Sequence, residues 1–137
     1  MDTALASAFY LSTPPLIQSV VIGAHQVVII DNFLAHPKAL FEIAANCDYQ
    51  PYPGYAKRQG YPGIRAPAPL EYSHLITDFL EPVIKLNFAI PEDLVLSKSV
   101  CAFSLTTRAP AELGPLQTTP HFDGSTPNRM AVLLYLC

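Results

Sequence analysis

Prolines decide what this chain cannot be. Fourteen of them are scattered through 137 residues, about twice the average share, and they form no PxxP tract. Inside a helix a proline removes a hydrogen bond and collides with the preceding turn. A bundle of long helices is therefore excluded, and short elements punctuated by loops are expected. The chain should nonetheless fold: half of its residues are hydrophobic and only 14% are charged, the reverse of a disordered composition. Its length is that of one domain able to bury a core.

Charge narrows the partners. The net charge is −3 and the isoelectric point is near 5.7, and no run of Lys or Arg is dense enough to release many phosphate counterions, so no nucleic-acid partner is expected. Cys47, Cys101 and Cys137 are odd in number and far apart, which fits neither a disulfide framework nor a zinc knuckle. The N-terminus carries Asp2 and no cation before Lys38, the wrong polarity for a secretory or mitochondrial signal. The most apolar stretch, residues 16–34, is broken by Gly23, His25, Gln26, Asp31 and Asn32, whereas a membrane span needs about 20 predominantly apolar residues. The expectation is a soluble, cytoplasmic protein with no membrane partner.

Residues 1–15 lack periodicity and end in Pro14-Pro15, and read as a loose arm ahead of a single domain over 16–137. Two β-branched runs, 16–22 and 26–30, flank Gly23-Ala24-His25 and predict a hairpin. Pro37 opens a helix with an apolar stripe from Leu40 to Cys47. Residues 49–69 hold so many Pro and Gly that they read as a long ordered loop. Pro69 opens a second helix, which Pro82 is expected to kink or end, with room for a further turn to Phe88. A long strand is expected over 94–107 and an apolar strand over 129–136. That last strand is patterned for burial on both faces, and no turn or polar tail follows it. The expectation is a chain truncated inside its domain.

His121 and Asp123 are the sharpest chemical signal. Two residues apart in an extended segment, they point to the same side. An imidazole and a carboxylate so placed can take two cis positions on one metal ion, two thirds of the facial triad of non-haem iron(II) oxygenases. The same pair also suits a surface turn in which Asp123 caps Gly124-Ser125, and zinc or another divalent ion accepts the same donors. The second candidate site is the loop from Tyr49 to Arg65, where Tyr52, Tyr55 and Tyr61 interleave with Lys57, Arg58 and Arg65. Rings and cations so mixed can stack and pair with a ligand; equally, the tyrosines can pack the loop down while the cations sit in water. Arg129 is a further anion anchor or a solvated strand end. His25, His36 and His74 read as surface histidines. No G-x-S-x-G elbow, phosphate loop or H-E-x-x-H helix is present.

Residues 117–136, with His121-Phe-Asp123 followed by an apolar strand ending in Tyr135-Leu136, resemble the iron-binding region of the 2-oxoglutarate/iron(II)-dependent oxygenases, especially the prolyl-hydroxylase-like branch. Val28-Ile-Ile-Asp31-Asn-Phe33-Leu34 looks like the start of such a domain, and Tyr61-Pro-Gly-Ile-Arg65-Ala-Pro67 is similar to a signature of an uncharacterised bacterial family associated with it. The resemblance implies an α+β fold: a partial double-stranded β-helix, or jelly roll, with two helices packed on its outer face. It implies iron(II) held by His121 and Asp123, 2-oxoglutarate as co-substrate, and hydroxylation of a small-molecule or peptide substrate. Arg65, Tyr61, Tyr55, Arg58 and Arg129 are the candidates for binding substrate or co-substrate. The family's distal histidine and co-substrate cation lie further along than these residues reach, so the chain alone is expected to be inactive, as an N-terminal fragment would be. The competing expectation is a non-catalytic binding module that completes its sheet by self-association, or with a partner, through the open C-terminal strand.

Overall fold

The computed structural model describes residues 10–96, 99–119 and 129–136. Among them the architecture is mixed α+β, with two small antiparallel sheets, three α-helices and no closed barrel. The chain groups into two compact units, each assembled from two stretches of sequence: residues 1–46 with 68–101, and residues 47–67 with 102–137.

The first unit begins with the hairpin that the β-branched runs predict. Strands β1 (Leu16–Ile22) and β2 (His25–Asp31) pair in register from Leu16 opposite Asp31 to Ile22 opposite His25. The two-residue turn starts at Gly23, whose φ of +62° suits a glycine. Residues 10–12, assigned to the arm, are tied down here: Ser12 N–H donates to the Phe33 carbonyl and Ala35 N–H to that of Tyr10. Helix α1 (Pro37–Ala45) has its proline at the first turn, where no N–H is missed. At its other end the Asn46 side chain donates to the Glu42 carbonyl at 2.8 Å.

Helix α2 (Leu70–Phe88) runs through Pro82 for six further residues and ends at Phe88, taking the further turn that the sequence allowed. Pro82 and Asp78, whose carbonyl loses its usual donor, both lie on the exposed side, where water replaces the bond. Beyond it, Lys85 bridges back to Glu81 at 3.1 Å and Asn87 to the Val83 carbonyl at 2.8 Å. The core of this unit is Phe33, Leu34, Leu40, Ala44, Tyr72 and Leu80, with Leu40 fully enclosed. Phe33 meets Phe79 edge-on at 5.1 Å, a favoured aromatic geometry. Ser73, the one buried polar side chain among the described residues, lies 3.3 Å from the Ser99 hydroxyl, which also accepts from Thr77 at 2.8 Å.

The second unit holds a three-stranded sheet, ordered β3 (Gln50–Pro51), β4 (Gly63–Pro67) and β5 (Ala102–Thr106). Here two sequence expectations are corrected. The stretch 49–69 is not loop throughout, since it supplies β3 and the central strand β4, and the long strand over 94–107 is reduced to β5. Gly63 explains the first: a Cβ there would run into the Leu105 carbonyl, so the glycine is the close approach of two strands and not a breaker. The sheet is two-faced, with Ala66 and Phe103 opposite one another and buried. A 3-10 turn (Pro110–Glu112) and the one-turn helix α3 (Pro115–Thr118) follow β5. Residues 129–136, expected as a strand, have no regular structure.

Candidate functional site

The exposed face of β4 carries the most organised group of candidate side chains. Strand alternation sends Arg65 to the side opposite Ile64 and Ala66, and register places it between Gln50 of β3 and Ser104 of β5, all three exposed. Its guanidinium carbon sits 4.7 Å from the ring centre of Tyr52 and 4.6 Å from that of Tyr61. The two rings meet edge to face at 6.2 Å and 78°, walling the cation on two sides. Tyr61 is held by its hydroxyl, 3.1 Å from that of Thr106 on β5. Tyr52 is held by its N–H, which donates to the Gly63 carbonyl. Gly60 makes room for that ring: its φ is +67°, and a Cβ would lie 2.8 Å from Tyr52 Cε1.

A second cation–aromatic pair lies in the same unit but has a different character. Arg108 stacks over Tyr55 at 4.1 Å and donates to the Tyr55 carbonyl at 2.8 Å, while the Tyr55 hydroxyl is 3.1 Å from that of Thr107. Arg108 is half-buried and its Nε–H is enclosed without an acceptor among the described residues. This guanidinium is a clasp that fastens the 3-10 turn (Tyr55–Lys57) to the residues after β5.

The sequence candidates thus separate. Arg65 and Tyr61 come together, with Tyr52 as a third member. Tyr55 belongs to the clasp. Arg58 adopts a left-handed backbone with φ +54° and its side chain is exposed, joining neither group. Arg129 is exposed in a segment without regular structure. His121 and Asp123 lie outside the described residues, and among those described no three His, Cys, Asp or Glu side chains gather as a metal site. His25, His36 and His74 are all exposed. Sequence reading placed Tyr52 in the candidate loop without pairing it to Arg65, and did not name Arg108; the signal for the pairing was the period-two pattern Ile64-Arg65-Ala66, hidden among Pro62, Gly63 and Pro67.

Two phenols are shifted. Burial pushes the Tyr72 hydroxyl well above the usual tyrosine range, helped by Cys101, and burial raises Tyr49 with a smaller contribution from Cys47. Cys47 and Cys101 are thiols outside any disulfide. A surface hollow of about 400 Å³ beside Pro82 is lined by Asp78, Glu81, Lys85 and Glu92. Its lysine is already paired with Glu81. No helix among the described residues is long and apolar enough to cross a membrane.

The fold and site define an α+β protein with a cation–aromatic cluster on an exposed sheet face. By sequence, the chain belongs to the family of unknown function DUF6445, whose model matches residues 13–137. No curated protein and no solved structure matches it.

Proposed function

We propose that this chain carries the metal-binding part of an iron(II)/2-oxoglutarate-dependent dioxygenase of hydroxylase type, acting on a small-molecule or peptide substrate. In this reading the antiparallel β3–β4–β5 sheet belongs to a partial double-stranded β-helix. The observation that carries it is the pair His121-Phe-Asp123 ahead of the apolar run 130–136. The donor chemistry fits iron(II): one imidazole nitrogen and one carboxylate oxygen are two of the three donors of a facial triad. The group would supply a two-electron oxidation of a substrate C–H bond, coupled to conversion of 2-oxoglutarate and O2 into succinate and CO2. The chain's own share would be to hold the metal through His121 and Asp123 and to orient the reacting partner. A reducing cytoplasm goes with this reading, since three widely spaced cysteines suit no disulfide framework.

The test is an anaerobic iron(II) titration of the intact natural protein. One equivalent is expected to bind, and His121→Ala or Asp123→Ala is expected to abolish stoichiometric binding. Unchanged titration in both variants overturns the assignment.

A second reading, a non-catalytic module whose sheet is completed by a second copy, draws on the exposed apolar side chains of Val132, Leu133 and Tyr135. A discrete, slowly exchanging dimer in light scattering supports it, and a monomer at all concentrations removes it.

A further inference from the structure

We infer that Arg65, gripped by Tyr52 and Tyr61 on the exposed face of β4, is a preformed site for a carboxylate ligand. It does not depend on iron, and it stands on four observations that converge.

The first is the grip itself. Ring faces attract a guanidinium through their quadrupole, a contact of about 0.5–1 kcal/mol each at exposed sites, without donating a negative charge to it. The cation is oriented by the two rings at 4.7 and 4.6 Å, yet not neutralised. Its five N–H donors lie in the guanidinium plane and form a fork that matches a carboxylate.

The second is the lack of an internal counter-ion. Among the described residues the Arg65 side chain makes no hydrogen bond and no ion pair, so the two rings are its only specific partners there. The two described carboxylates of this unit are turned to other donors: Asp48 accepts from Gln50 at 3.0 Å, and Glu112 accepts from the Ala109 N–H at 2.9 Å. Arg108 shows the contrast, since its donors are aimed at a backbone carbonyl and its ring partner is part of a loop clasp.

Third, the surroundings are polar and rigid. Register sets Gln50 and Ser104 directly across from Arg65 on the same exposed face, at the separation where cross-strand side chains meet. The Tyr61–Thr106 hydroxyl contact and the close approach of strands at Gly63 hold this face in one geometry. A site on a sheet loses little entropy when a ligand arrives.

The fourth is the field. All four arginines of the chain fall in this unit, together with Lys57, against Asp48, Glu112 and Asp123. The unit is therefore net positive by 2 within a chain of net charge −3, and it attracts anions that the chain as a whole repels. Flanking rings favour an organic acid over a bare phosphate, which seeks several cations at once.

The experiment is a titration of the 15N-labelled natural chain, freed of metal on a chelating resin, following the arginine Nε–H resonances and, in every variant, the backbone amides of Gln50, residue 65 and Ser104. The probes are glutarate, a blocked peptide bearing one Glu, the neutral analogue glutaramide, and inorganic phosphate. Saturable shifts of the Arg65 resonance with glutarate, with the Glu peptide or with both are expected, and their relative strength tells a free acid from an acidic side chain. Arg65→Lys, which keeps the charge and loses the fork, should bind about tenfold more weakly, and Tyr52→Leu should also weaken binding. Tyr61→Phe, which keeps the ring but gives up the Thr106 contact that holds it, should weaken binding less than Tyr52→Leu does. The assignment is overturned if neither carboxylate saturates, if phosphate or glutaramide binds as well as glutarate, or if Arg65→Lys binds unchanged. Because the protein is metal-free, failure here is distinct from failure of the iron titration.

Discussion

The two units of this protein are built on opposite terms. The first, residues 1–46 with 68–101, holds most of the buried apolar side chains among the described residues, and it carries eight of the chain's eleven carboxylates and no arginine. The second, residues 47–67 with 102–137, buries only Ala66 and Phe103 of its described apolar side chains and places every arginine, two of them against tyrosine rings. A helix-packed core is the usual source of stability. Aromatic and cationic side chains held on an exposed face add little to it, so their ordering points to recognition. The difference teaches where to look: the first unit is organised around a core, the second around cations and rings ordered on its surface.

Three measurements break or sharpen that contrast. Leu40→Ala has the largest expected effect, because Leu40 is the most enclosed side chain described. A loss of about 3–4 kcal/mol in denaturant unfolding is expected, and a loss below about 1 kcal/mol would show that the first unit is not held by this core. Gly63→Ala comes next, at about 2–3 kcal/mol, since the added Cβ meets the Leu105 backbone and β4 must shift from β5. The same substitution should displace Arg65 from its rings and erase the resonance shifts that carboxylates induce. If Gly63→Ala leaves the chain as stable as the natural one, the rigidity attributed to the sheet is removed.

The smallest effect is a pH dependence in the first unit. Burial raises the Tyr72 hydroxyl above its ordinary value, so the unfolded chain gives up this proton first as pH passes about 10. The folded state then binds more protons than the unfolded state, and stability falls as pH rises. Contribution from this group is full below that range and is lost above it. Tyr72→Phe is expected to flatten the alkaline decline in unfolding free energy, and an unaltered slope assigns the decline to other groups.

Much of the first unit was legible in the sequence. The β1–β2 hairpin follows from two β-branched runs around Gly23, and α1 from Pro37 with its apolar stripe, because both signals are local. Pro82 did not end α2, which takes the further turn to Phe88 because the lost bond falls on its wet side. In the second unit the reading of 49–69 as loop concealed β4. Gly63 is required by a strand that arrives about forty residues later in the sequence, which no local pattern announces. Likewise Arg65 stood out as a candidate, but its partner Tyr52 became visible only once β3 and β4 were paired.

By itself the sequence determined that the strands would be short and that two amphipathic helices would form. These are properties of neighbours along the chain, set by backbone sterics and side-chain period. Only the tertiary structure decided which arginine is a clasp and which stands open. Whether a guanidinium is spent on a carbonyl or left to a ligand depends on groups brought together from distant stretches of sequence, Thr106 and Tyr61 beside Arg65, Thr107 and Tyr55 beside Arg108.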